Sequence, residues 1–216
     1  MSLVVDLYWS FRSPYSYLVT HRLVAIEREY EVDIRVKIVA PLAVRDPEFF
    51  ERSNPQWLRY TLTDVVRLAQ MQGVPLGRPN PDPIVQDIAT RKIAPEQPHI
   101  FRLLRLGALA VERGRGLPFI AEVSRLIWSG EVEWNEADHL REAVARAGLD
   151  LAELESEVAL DPDRLDRLVE QNEEDQKSAG HWGVPLMVFQ GEPFFGQDRV
   201  DCLLWRMEPH GLRHRK

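Results

Sequence analysis

Residues 10–18, SFRSPYSYL, carry a Ser-Pro-Tyr-Ser spacing, with the hydroxyls of Ser13 and Ser16 at its ends, where an apolar run, LVVDLYW at 3–9, gives way to a helical pattern. Pro14 suits the first turn of a helix, where its missing N–H costs nothing. Ser13 then falls at the N-cap, and its side-chain oxygen accepts a hydrogen bond from a free backbone N–H. That end of a helix also holds the positive end of the dipole, a setting that favours an anion. A serine hydroxyl does not ionise under such modest help, but it can donate to an anion held by something else. A hydrogen bond to a charged group contributes about 1.5–3 kcal/mol. On these residues alone Ser13 is either a helix cap or an anion contact. Ser16, one turn inward, reads as structural, and Tyr15 and Tyr17 as core, with Tyr15 able to edge a pocket. Arg12 either supports a nearby anion, pairs with a substrate carboxylate or points to solvent.

The elements around this junction follow from periodicity. Residues 3–9 read as a buried strand, and apolar positions from Tyr17 to Ile26 continue as a helix to about Glu29. VDIRVKIVA (32–40) alternates apolar and charged residues and is a second strand, ended by Pro41. Strand, helix, strand in this order predicts a parallel crossover. Strand signals are absent from roughly 41 to 180, where six helical patterns follow. They are WLRYTLTDVVRLAQMQG with Gly73 as its stop, HIFRLLRLGALAVERG, FIAEVSRLIWSG, EADHLREAVARAG, LAELESEVAL and DPDRLDRLVEQNEEDQKSAG. GVPLGRPNPDP (73–83) cannot be helix and is expected to be a loop. Near the end, residues 185–189 and 192–195 read as an antiparallel pair around Gly191, followed by a helix opened by Gly196, Gln197 and Asp198.

Composition narrows the function. A net charge of -7 argues against nucleic acid or an anionic membrane as the main partner. No signal-peptide pattern opens the chain, so a cytoplasmic location is expected. The single cysteine, Cys202, excludes an intrachain disulfide and a zinc site of clustered cysteines, and no metal site is expected. Its apolar neighbours predict a buried, inert thiol, and the basic tail GLRHRK is expected to be a solvated terminus.

Three motifs in order carry a resemblance. SFRSPYSYL stands where thioredoxin-like proteins carry a Cys-Pro-x-Cys motif, with Ser13 and Ser16 in place of the two thiols. WGVPLMVF resembles the segment with the cis-proline that faces that motif. FFGQDRVDCLL resembles the signature opening the last helix of the 2-hydroxychromene-2-carboxylate isomerases and kappa-class glutathione transferases. The likeness covers nearly the whole chain. It implies an α/β, thioredoxin-like fold with a large all-helical insertion of the DsbA-like kind. Residues 1–40 and 181–216 would form the thioredoxin-like domain and 41–180 the insertion.

The resemblance also implies glutathione as cofactor, with Ser13 contacting its sulfur. Val184-Pro185 becomes the expected cis bond, freeing the Val184 backbone to pair with the cysteinyl part of glutathione. Backbone N–H groups at Gln197 and Asp198 suit the γ-glutamyl carboxylate, and the Asp198 side chain suits the ammonium or serves as a cap. Related proteins place an asparagine and then a lysine in the early helical region. Asn54 is the candidate for the first, and Arg59 either replaces the absent lysine or lies on a solvated face. Arg12, Tyr15 and Trp182 are the candidate lining of the second-substrate pocket, whereas His181 reads as an exposed turn histidine or a general base. A homodimer is expected from the family.

The resemblance implies a glutathione-dependent isomerase acting on an aromatic or conjugated 2-oxo acid. The alternatives are a kappa-like glutathione transferase and a non-catalytic binding protein on the same scaffold. Dithiol exchange is discarded, because the paired thiols are absent.

Overall fold

The computed structural model describes residues 2–87, 89–130 and 133–215. Glu131 and Val132, inside the run before the EADHL helix, and Lys216 of the basic tail lie outside that description.

Four strands form one mixed sheet in the order β2-β1-β3-β4. β1 (Leu3–Trp9) lies at its centre, parallel to β2 (Val32–Ile38) and antiparallel to β3 (Leu186–Phe189). β4 (Glu192–Phe195) pairs antiparallel with β3 across Gln190 and Gly191, both at positive φ, which matches the right-handed twist of a tight hairpin. The alternation read in β2 is realised, with Val32, Ile34, Val36 and Ile38 buried and Asp33 and Arg35 exposed. Val5, Leu7 and Trp9 of β1 face the main core, and Tyr8 packs with Val39, Leu186 and Val188 on the other face.

α1 (Pro14–Glu29) crosses from β1 to β2 with the predicted bounds. Trp9 fastens it to the sheet, its indole Nε1 donating to Ser16 O and to Thr20 Oγ1, both at 3.0 Å. After β2 come two one-turn helices that periodicity could not reveal, α2 (Leu42–Arg45) and α3 (Phe49–Arg52). The predicted helices follow as α4 (Pro55–Gln72), α5 (Pro98–Glu112), α6 (Gly116–Trp128), α7 (Ala137–Arg146), α8 (Leu151–Leu160) and α9 (Pro162–Ser178). α5, α6 and α9 all lie against β2. At Gly107 of α5 an added Cβ would stand 3.2 Å from both Phe11 and Ile38, so glycine is what lets this helix approach the sheet.

The loop expected at 73–83 is ordered by its neighbours. Gly77 N donates to Trp128 O at 2.6 Å and Trp134 Nε1 to Pro81 O at 2.6 Å, and Asn80-Pro81 is cis.

Two expectations are corrected near the C-terminus. The last helix does not open at Gly196: a 3-10 turn (Gln197–Arg199) comes first, and α10 spans Val200–Met207. α10 buries Val200, Leu203 and Met207, a phase that turns Cys202 outward, so the thiol is exposed rather than buried. The tail is exposed, as expected of a solvated terminus, and it is also held. Glu31 N donates to Arg213 O at 2.7 Å, Arg215 N to Glu29 O at 2.8 Å, and the rings of Tyr30 and His214 stack at 4.3 Å. Arg215 Nη2 also meets Val32 O at 3.1 Å, so the tail satisfies backbone groups at the open edge of β2. Among the described residues no helix is long and apolar enough to cross a membrane, and no cluster of His, Cys, Asp and Glu could hold a metal ion.

Candidate functional site

Ser13 is the N-cap of α1, with extended backbone (φ -96, ψ 114) and its Oγ accepting from Ser16 N at 3.2 Å. A hydroxyl that accepts in this way still has its own proton to donate. Ser13 is partly buried, whereas Ser16 is wholly buried and its Oγ has no partner among the described residues. That burial agrees with a structural place for Ser16.

The segment before β3 makes a second wall. Val184-Pro185 is cis, as the resemblance implied. Gln176 Nε2 donates to Gly183 O at 2.7 Å, Gly183 N to His181 Nδ1 at 2.8 Å, and Gly196 N to Pro185 O at 3.0 Å. Among the described residues the Val184 N–H and C=O have no such partner. His181 is neither a bare turn residue nor free at Nδ1. Its ring stacks on Phe195 at 3.9 Å and on Trp182 at 5.6 Å, and Trp182 itself is 50% exposed.

The turn after β4 is the third wall, and it touches α1. Gln197 is buried, and its Oε1 accepts from Gln72 Nε2 at 2.9 Å, which ties the turn to the end of α4. Asp198 is exposed and pairs with Arg199 at 3.0 Å, with Oδ1 folded back over Gly196, where an added Cβ would meet it at 2.6 Å. Gly196 has φ +112, a second reason for glycine at this position. Tyr15 closes the space between α1 and α4, its hydroxyl donating to Asp64 Oδ2 at 3.0 Å. Burial first, then the bond to Asp64, push its phenol well above the usual range, and Asp198 adds to the effect. Tyr15 is therefore a neutral wall residue.

The remaining candidates stand further apart. Arg12 does not point freely to solvent. Its Nε and Nη2 meet Asp82 Oδ1 and Oδ2 at 2.5 and 2.6 Å, and its guanidinium lies 5.6 Å from the Trp128 ring centroid. Asn54 caps α4, with Oδ1 accepting from Gln56 N at 2.8 Å, and Arg59 is exposed on that helix. Asn54 is ten residues, about 15 Å of helix, before Asp64, the α4 residue that reaches Tyr15. No bond among the described residues brings Asn54 or Arg59 to the Ser13 junction.

Sequence reading missed Asp64, Asp82, Gln176 and Arg45. Arg45 Nη1 donates to Trp182 O at 3.1 Å and to Gln176 Oε1 at 3.3 Å, which puts a cation behind the cis-proline segment. The one signal for it was an arginine directly after the apolar IVAPLAV run.

The mixed sheet, the capped α1 and the cis bond before β3 agree with a known class. A family model for the DsbA-like thioredoxin domain matches residues 4–208, and the chain belongs to that family. Among curated proteins it is similar to the 2-hydroxychromene-2-carboxylate isomerase of Pseudomonas putida, with 32% identity over 78 residues. That stretch is 34% of this chain and only 38% of the relative's length. Among solved structures, a 2-hydroxychromene-2-carboxylate isomerase superposes with TM-score 0.69 at 21% identity, covering 96% of each chain. The cytosolic disulfide reductase DsbM of Pseudomonas aeruginosa superposes at 0.62 with 18% identity, over 97% of this chain and all of the other. DsbM has also been solved with GSH, and that structure superposes at 0.58 with 17% identity, over 99% of this chain and 90% of the other. These identities establish a common fold.

Proposed function

We propose that this chain is a glutathione-dependent isomerase of a conjugated 2-oxo acid, working in the cytoplasm as a homodimer. In this reading residues 1–40 and 181–216 hold the thiol and the helical stretch 41–180 shapes the second-substrate pocket. The observation that carries it is Ser13. Its oxygen accepts the Ser16 N–H at the cap of α1, which leaves the hydroxyl proton for an incoming thiolate. The chain has no second thiol to make it a dithiol exchanger, and its one cysteine lies on α10.

Glutathione would lie along the cis-proline segment, its cysteinyl backbone paired with the N–H and C=O of Val184 beside Pro185. The backbone N–H groups of Gln197 and Asp198 would receive the γ-glutamyl carboxylate and the Asp198 carboxylate the ammonium. The thiolate adds to an alkene carbon conjugated with the 2-oxo group, forming a C–S bond while the π electrons move to the oxo oxygen as an enolate. Rotation then takes place about a single bond. Collapse of the enolate restores the double bond in the other geometry and expels the thiolate, so glutathione is regenerated. The relative named for this isomerisation and the DsbM structure with GSH support the assignment.

Calorimetric titration of glutathione and S-methylglutathione into the wild type and Ser13→Ala tests it. The variant is expected to lose affinity for the free thiol far more than for the methylated one. Absence of glutathione binding to the wild type would leave a non-catalytic scaffold. Consumption of free thiol during turnover would make the chain a transferase.

A further inference from the structure

Arg45 ends α2, and its guanidinium is engaged on one side only. Nη1 holds Trp182 O and Gln176 Oε1, while Nε and Nη2 are shut off from solvent and have no partner among the described residues. Nε and Nη2 form the side-on fork that takes a carboxylate with two parallel bonds. Elsewhere the same fork is filled. Arg12 offers it to Asp82, and Arg105 offers it to Asp166 at 2.8 and 2.7 Å.

No acid of the described residues takes that place at Arg45. Glu173 is the acid whose charge acts on it, and Glu173 Oε1 accepts from Ala40 N at 3.0 Å. Burial lowers the guanidinium's affinity for its proton, which the Glu173 charge partly restores, and burial raises that of the Glu173 carboxyl, so neither charge is fully compensated. A buried cation in this condition is costly unless an anion completes it.

The other edge of the guanidinium braces the segment that leads into the cis-proline. Arg45 grips the carbonyl of Trp182, two residues before Val184, and Gln176, on the same Nη1, grips that of Gly183. Aromatic rings continue from there: Trp182 lies 6.1 Å from Phe49, and Phe49 lies 5.8 Å from Trp57, which is 45% exposed. A planar cation beside such rings suits a carboxylate attached to a flat, conjugated body.

We propose that Arg45 is a binding residue whose Nε and Nη2 fork receives a ligand carboxylate behind the cis-proline segment. The carboxylate of the conjugated 2-oxo acid fits the aromatic surroundings, and in naming that acid the inference rests on the function proposed above. Glutathione carries carboxylates too and is the other source of the same chemistry. The fork is closed in the free chain, so binding requires the adjoining segment to shift, and α3 beside it contains no buried residue.

Calorimetry on the wild type, Arg45→Lys and Arg45→Gln separates these possibilities, with trans-cinnamate, trans-cinnamamide and S-methylglutathione as probes. The wild type is expected to prefer the acid to the amide by about ten- to a hundredfold, the worth of a charged hydrogen-bonded pair. Arg45→Gln should erase that preference while leaving the amide's affinity within about twofold, and Arg45→Lys should restore part of it. A merely structural role would weaken acid and amide alike. In the unmutated protein the Arg45 Nε–H resonance should shift with the acid and not with the amide, a readout that survives if a variant does not fold. A loss confined to S-methylglutathione assigns the fork to glutathione instead. Cinnamate binding that depends on Arg45 in a protein that ignores glutathione upholds the fork and sinks the glutathione reading. Glutathione binding with no preference for acid over amide and no effect of Arg45 in any ligand overturns the fork alone.

Discussion

α1 and α4 begin alike and end up in opposite circumstances. Each opens on a proline after a side-chain cap, Ser13 accepting from Ser16 N and Asn54 from Gln56 N. α1 then buries seven residues between Ser16 and Ile26, whereas α4 buries only Val65 and Ala69 and leaves Trp57, Tyr60, Leu62, Val66 and Met71 exposed. The difference lies in what stands behind each helix. α1 is held against the sheet by the Trp9 indole and covered by α6, while α4 touches α1 and is tied by Gln72 to the turn after β4. Cap chemistry sets where a helix starts, and neighbours set what it costs to change it.

The largest effect should separate the two helices by stability. Leu18 on α1 is wholly buried, so Leu18→Ala should cost about 2–5 kcal/mol. Leu62 on α4 is 72% exposed, and Leu62→Ala should stay within about 0.5 kcal/mol. Urea unfolding measures both, and equal losses would break the contrast. The caps should differ next, in kind rather than in stability. Ser13→Ala and Asn54→Ala should each cost about 1 kcal/mol in melting experiments. Only Ser13→Ala should weaken glutathione relative to S-methylglutathione, by about 1.5–3 kcal/mol. An equal sulfur dependence at Asn54 would move the thiol site towards α4.

The smallest effect concerns pH. Folding raises the Tyr15 phenol, so below pH 10 it holds its proton in both states and has no influence. Above pH 10 the unfolded chain gives up that proton first, and stability falls as pH rises further. Tyr15→Phe should flatten this fall in melts between pH 9 and 11. A fall of unchanged slope would show that other groups carry it, among them Tyr8, whose hydroxyl burial pushes up to about 12.

Much of this was legible in the chain itself. The bounds of α1, the alternation of β2, the stop at Gly73 and the β3–β4 hairpin depend on residues within a turn or two of one another, so pattern and capping reveal them. The Ser13 cap was readable for the same reason, and the Val184-Pro185 cis bond came from the resemblance. The one-turn helices α2 and α3 are too short to show a period. Cys202 was misread because only the packing of Val200, Leu203 and Met207 fixes which face of α10 turns inward.

Sequence alone determined the longer elements, their order and the serine at the head of α1, because each follows from local periods and backbone hydrogen-bonding needs. Only the tertiary structure decided which charges meet. Asp82 fills the fork of Arg12 from 70 positions away, Gln197 reaches Gln72 across 125, and Arg45 finds Trp182 across 137 yet meets no carboxylate among the described residues. Such pairings depend on the path of the whole chain, which no local pattern encodes.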